Sequence, residues 1–248
     1  QTSFGKLLVQ GEDALTLLQW VCTADVAVPV GRVVYTGVLN SRGGYEADVT
    51  LTRVGRDEYL WVTSAASVVR DQDWLRRHVR GGGRVTVTDV TAMYAVLGVM
   101  GPRSRAVLQS LSRSGFEPDD FPFATSRLVD LGPFTVRATR MTYVGELGWE
   151  LYVPADVAAG AYELLMDAGS AYGIVPAGYN AINALRLEKG YRAFGAELGP
   201  DVNPVEAGLL FATKLRSDTP FLGREALEKV RATGPLRLLE RLHPAFRS

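Results

Sequence analysis

Cysteine is nearly absent from these 248 residues. Cys22 stands alone, so no internal disulfide can form and no multi-cysteine metal site can be built. A single cysteine fits a reducing compartment. Histidine is almost as scarce. His78 and His243 lie far apart in sequence and make no convincing set with Cys22, so no metal is expected. No apolar run is long enough to span a bilayer, and no signal-peptide pattern opens the chain, so no membrane partner is expected. An excess of one charge is missing as well. The 27 basic and 27 acidic side chains balance, and no basic stripe marks nucleic acid as a partner. The opening methionine is also missing. Gln1 stands first, already in strand-like sequence, which points to a fragment or a processed product.

What is present is ordinary globular material: 47% apolar and 22% charged residues, in a length that suits one large domain or two intimate ones. Residues 4–9 read as a strand, broken by Gly11. A helix is expected from Glu12 through Cys22, with the two acids in its first turn and Ala14, Leu15, Leu17, Leu18 and Val21 on its buried stripe. Residues 31–39 and 45–53 read as strands around the turn Asn40-Ser41-Arg42-Gly43-Gly44. In the second of them Ala47, Val49 and Leu51 share one face, and Asp48, Thr50 and Thr52 the other. Strands are expected at 59–63, 84–90 and 94–99, with helices at 67–79 and from Pro102 to about 111. Residues 114–125 read as a loop. Asp156 is expected to cap a helix over 157–172 that stops at Gly173. Further helices are expected at 180–189 and 223–230, with irregular chain between them. Leu236, Leu238, Leu239 and Leu242 suggest a strand or helix left without its partners. One pattern occurs twice: strand, glycine, amphipathic helix, at Gly11 and again at Gly101. It suggests two related halves of an α+β architecture.

Residues 140–154 read as two short strands joined by the turn Gly145-Glu146-Leu147-Gly148. Beyond the turn, alternation puts Trp149, Leu151 and Val153 on one face and Glu150 and Tyr152 on the other. From pattern alone, Glu150 is either a solvated sheet residue or a ligand hook.

Four segments together carry a family resemblance. They are Gly31-Arg32-Val33-Val34-Tyr35-Thr36 with Leu39-Asn40; Arg42-Gly43-Gly44-Tyr45-Glu46-Ala47-Asp48 with Thr52-Arg53; Tyr143-Val144-Gly145-Glu146-Leu147-Gly148-Trp149-Glu150; and Leu185-Arg186-Leu187-Glu188-Lys189-Gly190-Tyr191, followed by Pro204-Val205-Glu206-Ala207-Gly208-Leu209. In this order the chain resembles the tetrahydrofolate-dependent aminomethyltransferases, the family of the glycine cleavage T-protein, and above all the C-terminal folate domain of dimethylglycine and sarcosine dehydrogenases. The resemblance implies an α+β fold of two interlocked ferredoxin-like subdomains around a folate channel, with a C-terminal β-barrel largely missing. It places the folate-binding domain at 1–214 and leaves 215–248 as a truncated segment leading towards that barrel. It also implies a tetrahydrofolate cofactor, one-carbon capture from an oxidised N-methyl amine, and an FAD-dependent oxidoreductase domain or subunit as partner. The location implied is cytoplasmic, or the mitochondrial matrix in a eukaryote. No Gly-x-Gly-x-x-Gly follows a first strand, so no FAD site of that type is expected in this chain.

By the same resemblance Asp48 matches the carboxylate beside N5 of the folate. One carboxylate there can stabilise a cationic one-carbon donor, orient the nucleophile or, through water, take its proton. The glycine cleavage enzymes usually carry two adjacent acids at this point, whereas this chain has Ala47-Asp48, as the dehydrogenase branch does. Glu150 matches the pterin hook, because a carboxylate can accept both the 2-amino group and the neighbouring ring N–H. Glu146 competes for that role but reads as a solvated turn residue. Tyr35 and Tyr143 match tyrosines lining the folate channel. Arg186 with Glu188 reads as a structural ion pair. Ile182 stands where the glycine cleavage enzymes have an arginine, which sets this chain apart from that branch. Two other functions compete: a stand-alone aminomethyl- or methyltransferase acting on another amine or a sulfonium compound, and a non-catalytic folate binder. The latter relatives carry a cysteine in a Lys-Gly-Cys-Tyr-like segment, and Lys189-Gly190-Tyr191-Arg192 has none. A bland alternative is a truncated remnant that no longer closes its site.

Overall fold

The computed structural model describes residues 4–235 and 237–239. Two antiparallel sheets organise them. The first is built from β1 (Phe4–Gln10), β2 (Val33–Leu39), β3 (Tyr45–Gly55), β4 (Glu58–Ser64) and β5 (Thr86–Asp89), in the order β2-β3-β4-β1-β5. Helices α1 (Ala14–Val21) and α2 (Val68–Arg77) cover one of its faces. The apolar spacing Ala14, Leu17, Leu18, Val21 gives α1 one buried stripe. That stripe meets Ala47, Val49 and Leu51 of β3, the face that alternation assigns to the core.

The second sheet is built from β6 (Tyr94–Met100), β7 (Ser126–Leu131), β8 (Phe134–Thr139) and β9 (Gly148–Pro154), in the order β6-β9-β8-β7. Its outer face carries α3 (Ser104–Leu111) and α4 (Ala158–Ser170). Trp149, Leu151 and Val153 point into that core, as the alternation requires. The repeated strand–glycine–helix pattern marks the same place in each half. Gly11 (φ 128°) ends β1 before α1, and Gly101 (φ 118°) ends β6 before α3. A small apolar seam of Leu60, Val62, Val90, Val96 and Tyr152 joins the two sheets by their other faces. Lys6, fully buried, adds a cross-link by donating from Nζ to the Tyr94 carbonyl at 2.9 Å.

The remaining chain contains α5 (Tyr179–Glu188), irregular segments and α6 (Arg224–Thr233). Leu198, Ala207, Phe221 and Leu227 pack with Leu39 and Tyr45 in a third cluster. Buried Lys214 fixes this segment to the first half. Its Nζ donates to the carbonyls of Gln19 (2.6 Å), Cys22 (2.9 Å) and Ala24 (3.1 Å), at and just beyond the C-terminal end of α1, where helical carbonyls lack partners of their own.

The structure corrects several local expectations. Helix α1 begins at Ala14, and neither acid lies in its first turn. Glu12 instead forms a salt bridge with Arg84, and the Asp13 carboxylate accepts the Arg84 N–H at 2.9 Å. Asp156 caps nothing. A 3-10 turn at Ala155–Val157 intervenes before α4, with no side-chain cap. The strand expected to run through residue 143 ends at Thr139, because Arg140 exchanges backbone hydrogen bonds with Ala124 and Thr125 instead of continuing the ladder to β9. Residues 140–147 are therefore a loop, although β8 and β9 do pair. Of the leucine run, Leu236 and Leu242 lie outside the described residues, as does His243. Leu238 and Leu239 are irregular, with the Leu239 N–H donating to the Glu206 carbonyl. Among the described residues there is no closing β-barrel, and no helix is long and apolar enough to cross a membrane.

Candidate functional site

The hairpin β2–β3 places the first site residue. Gly37 stands opposite Asp48 in the ladder, and Tyr35 opposite Thr50. Tyr35, Asp48 and Thr50 project from the face that helices α1 and α2 leave free. Tyr35 donates its phenol to Asp48 Oδ2 at 3.1 Å. A second donor reaches the same carboxylate from far along the chain, the backbone N–H of Phe194. Burial pushes the Asp48 carboxyl up from 3.8 to about 6, against the downward pull of these two hydrogen bonds. The group therefore titrates close to neutrality, where it can hold or release a proton. Burial and the neighbouring Asp48 charge raise the Tyr35 phenol far above its usual range, so it stays a neutral donor.

Tyr143 joins this pair from the 140–147 loop. Its hydroxyl donates to the Arg192 carbonyl at 2.6 Å, and its ring stacks on Tyr191 with centroids 6.0 Å apart. Burial raises its phenol to about 12. Electrostatic coupling of Tyr143 to both Asp48 and Tyr35 places the three groups in one neighbourhood.

The segment after α5 is the clamp that holds them. Arg186 is buried and pairs with Glu197 at 2.6 Å. It also donates to the Tyr191 carbonyl and to Asn183 Oδ1, each at 2.9 Å. Glu197 also accepts the Ala193 N–H at 2.9 Å. Arg70 of α2 lies over the Phe194 ring at 4.3 Å. Residues 190–198 are thereby fixed so that one backbone N–H serves Asp48 and one carbonyl serves Tyr143. The sequence suggests Glu188 as the ion-pair partner of Arg186; the structure gives that place to Glu197 instead. Tyr191 belongs to the fourth family segment, but the sequence assigns no role to Phe194, Arg192 or Glu197. Two of them act through backbone atoms, which leave no residue signature. Glu197 lies eleven positions past its partner, outside any helical spacing.

Glu150 lies elsewhere, on β9 between Gly98 of β6 and Thr139 of β8. It is half-buried, and its hydrogen-bond partner is the Tyr152 phenol at 2.8 Å. Burial raises its carboxyl above the ordinary range, and the Tyr152 bond works against that rise. Glu146, the competing acid, is exposed and pairs with Lys189 at 3.2 Å. The seam residues show how the two carboxylates are oriented. Leu60 and Val62 share the Asp48 face of the first sheet, whereas Val96 and Tyr152 share the Glu150 face of the second. Asp48 and Glu150 therefore project from the two sheet faces that are turned towards each other. Two carboxylates with raised pKa values, each hydrogen-bonded by a tyrosine, suit a flat, hydrogen-bond-donating heterocycle better than a metal. Among the described residues no cluster of His, Cys, Asp and Glu could hold a metal ion.

Comparison with known proteins matches the GCVT N-terminal domain to residues 1–217. Mitochondrial sarcosine dehydrogenase of Mus musculus is 41% identical over 95% of this chain, which spans 27% of that protein. The aminomethyltransferase of Shouchella clausii is 37% identical over 95% of this chain and 64% of its own length. Among solved structures, glycine cleavage system aminomethyltransferase T from Bartonella henselae superposes with a TM-score of 0.81 at 25% identity, covering 94% of this chain and 62% of that one. The chain thus spans about a quarter of the length of the dehydrogenase and under two thirds of the other two. The four sequence segments, the two-sheet fold and these matches agree: the chain belongs to the folate-dependent aminomethyltransferase family of the glycine cleavage T-protein.

Proposed function

We propose that this chain is a tetrahydrofolate-binding one-carbon transfer domain. It captures the methylene group of an oxidised N-methyl amine, of the dimethylglycine or sarcosine type, to give 5,10-methylenetetrahydrofolate. The observation that carries this reading is the placement of Asp48, half-buried, braced by Tyr35 and the Phe194 N–H, on the sheet face confronting Glu150.

When bound, tetrahydrofolate supplies the nucleophilic amine that takes up the one-carbon unit. The residues present fit it. Glu150 is an acceptor without a cationic partner within 4.0 Å among the described residues, as a hook for the amino and ring N–H donors of a pterin needs to be. Tyr35 and Tyr143 offer aromatic walls. Asp48, as carboxylate, stabilises positive charge on the incoming carbon and accepts the amine proton, directly or through water. Tyr35 holds the carboxylate in place while remaining neutral.

The amine is oxidised elsewhere, in an FAD-dependent oxidoreductase domain or a partner subunit, and this chain receives the product. A cytoplasmic location, or the mitochondrial matrix in a eukaryote, suits that supply. The test is anaerobic calorimetric titration of tetrahydrofolate into the protein and into Glu150→Gln and Asp48→Asn. Glu150→Gln is expected to weaken binding by roughly 10-fold or more, the worth of a charge-assisted hydrogen bond. Asp48→Asn is expected to bind but to lose one-carbon capture. A folded protein that takes up no tetrahydrofolate overturns the reading.

A further inference from the structure

Glu150 is reached by a donor that the family resemblance does not assign. Tyr152 lies two positions on, on the same face of β9, and its hydroxyl donates to Glu150 Oε2 at 2.8 Å. A glutamate side chain has three soft torsions, the last of them broad, so a half-buried carboxylate without a partner has no fixed plane. Here one bond fixes it. Tyr152 itself has little freedom: it is 3% exposed, and its ring packs among Leu60, Val62, Val90 and Val96 in the seam.

We propose that Tyr152 is a positioning residue for Glu150. It pins Oε2 through one lone pair, so that the carboxylate plane is set and the remaining acceptor sites of both oxygens face the ligand. The inference rests on Glu150 being the pterin hook. The count of acceptors allows it, since an ionised carboxylate has about four lone-pair sites and the phenol takes one. Because the Tyr152 ring is seated partly on residues of the first sheet, the orientation of a hook on the second sheet depends on the sheet that carries Asp48.

Tyr152 is also the donor that supports the charged form of Glu150. The other titratable groups on the surrounding faces are occupied differently: Asp48 and Tyr35 of the first sheet are hydrogen-bonded to each other, and two cations are engaged elsewhere. Arg137 of β8 donates to Ser126 Oγ at 3.5 Å, and Lys6 of β1 to the Tyr94 carbonyl of β6. Among the described residues neither forms a salt bridge with Glu150 within 4.0 Å. Removing the phenol raises the Glu150 carboxyl further, so binding that needs the carboxylate starts to fail at a higher pH.

The experiment titrates tetrahydrofolate anaerobically into the protein, Tyr152→Phe, Glu150→Gln and the double variant, from about pH 5 to 8, with a thermal melt of each. Tyr152→Phe is expected to remain folded and to bind about 3- to 10-fold more weakly near neutral pH. Its acid-side loss of binding should move to higher pH, and it should add nothing in the Glu150→Gln background. A merely structural tyrosine would lower the melting temperature, leave the pH midpoint in place and weaken both backgrounds equally, and that result overturns the inference. If Glu150→Gln weakens binding and Tyr152→Phe does not, the positioning role alone falls. If Glu150→Gln itself has no effect, the hook reading falls and the inference with it.

Discussion

At Asp48 burial and hydrogen bonding pull in opposite directions, and burial prevails, raising the carboxyl from 3.8 to about 6. The consequence for stability has a definite sign. An unfolded aspartate loses its proton around 3.8, whereas the folded one keeps it until about 6. Between those values the native state binds more protons, so stability falls as pH rises through the window and the penalty is complete above it. A shift of this size corresponds to a penalty of about 1–3 kcal/mol at neutral pH. Asp48→Asn carries no such charge. It is expected to be more stable than the parent at pH 7, with the gap closing near pH 4, while one-carbon capture is lost. Urea denaturation at the two pH values measures both ends, and an equal gap at both would show that the Asp48 charge is not the source. On the proposed reading, stability is given up at this residue to keep a carboxylate out of water.

Among the elements, the β2–β3 hairpin and β9 were legible from alternation. The periods at Ala47, Val49, Leu51 and at Trp149, Leu151, Val153 fixed which way Asp48 and Glu150 face, and the structure agrees. The brace around Asp48 was not legible, because a backbone N–H at Phe194 and a carbonyl at Arg192 carry no side-chain signal. The glycines at 145 and 148 imitate a two-strand turn and so suggest a strand at Tyr143, whereas long-range bonds of Arg140 to Ala124 and Thr125 end the strand early. The Gly43-Gly44 pair was read through its family motif, and the structure gives the reason for it. Gly43 adopts φ 86°, and a Cβ on Gly44 would stand 1.8 Å from the Pro200 carbonyl oxygen. The next residue, Tyr45, donates its N–H to the carbonyls of Gly199 and Val202, so the hairpin and the 199–202 segment meet backbone to backbone. Gly44→Ala is therefore expected to cost about 1–3 kcal/mol and to weaken tetrahydrofolate binding, since the displaced segment continues from the one that serves Asp48. Gly199→Ala, with no atom within 4 Å of the added carbon, is the control and should stay within about 0.5 kcal/mol of the parent. Equal melting temperatures for the two variants would mean that the close approach at Gly44 is not what holds the segment.

For the whole molecule, the division of the core matters most. Each sheet has its own large cluster against its own helices, and the halves share the small seam of Leu60, Val62, Val90, Val96 and Tyr152. Asp48 stands on one side of that seam and Glu150 on the other, so a ligand that needs both must bridge the halves. Binding and cohesion of the halves are then linked by mass action: whatever binds the joined state and not the separated one favours joining. Leu60 and Val96 are 6% and 7% exposed and come from opposite sheets. Leu60→Ala alone should cost about 2–5 kcal/mol by leaving a cavity. Combined with Val96→Ala, it should split thermal unfolding into two transitions, because each half keeps its own core while the seam fails. Saturating tetrahydrofolate should restore a single transition in the double variant, and in the Glu150→Gln version of it should not. Differential scanning calorimetry reads all three states. A double variant that still unfolds in one step without ligand would show that the Lys6–Tyr94 bond and the backbone bonds of Gly31 and Val33 to Ser126 and Ala124 couple the halves more strongly than the seam does. Two transitions that tetrahydrofolate leaves unmerged would show that the ligand contacts one half alone.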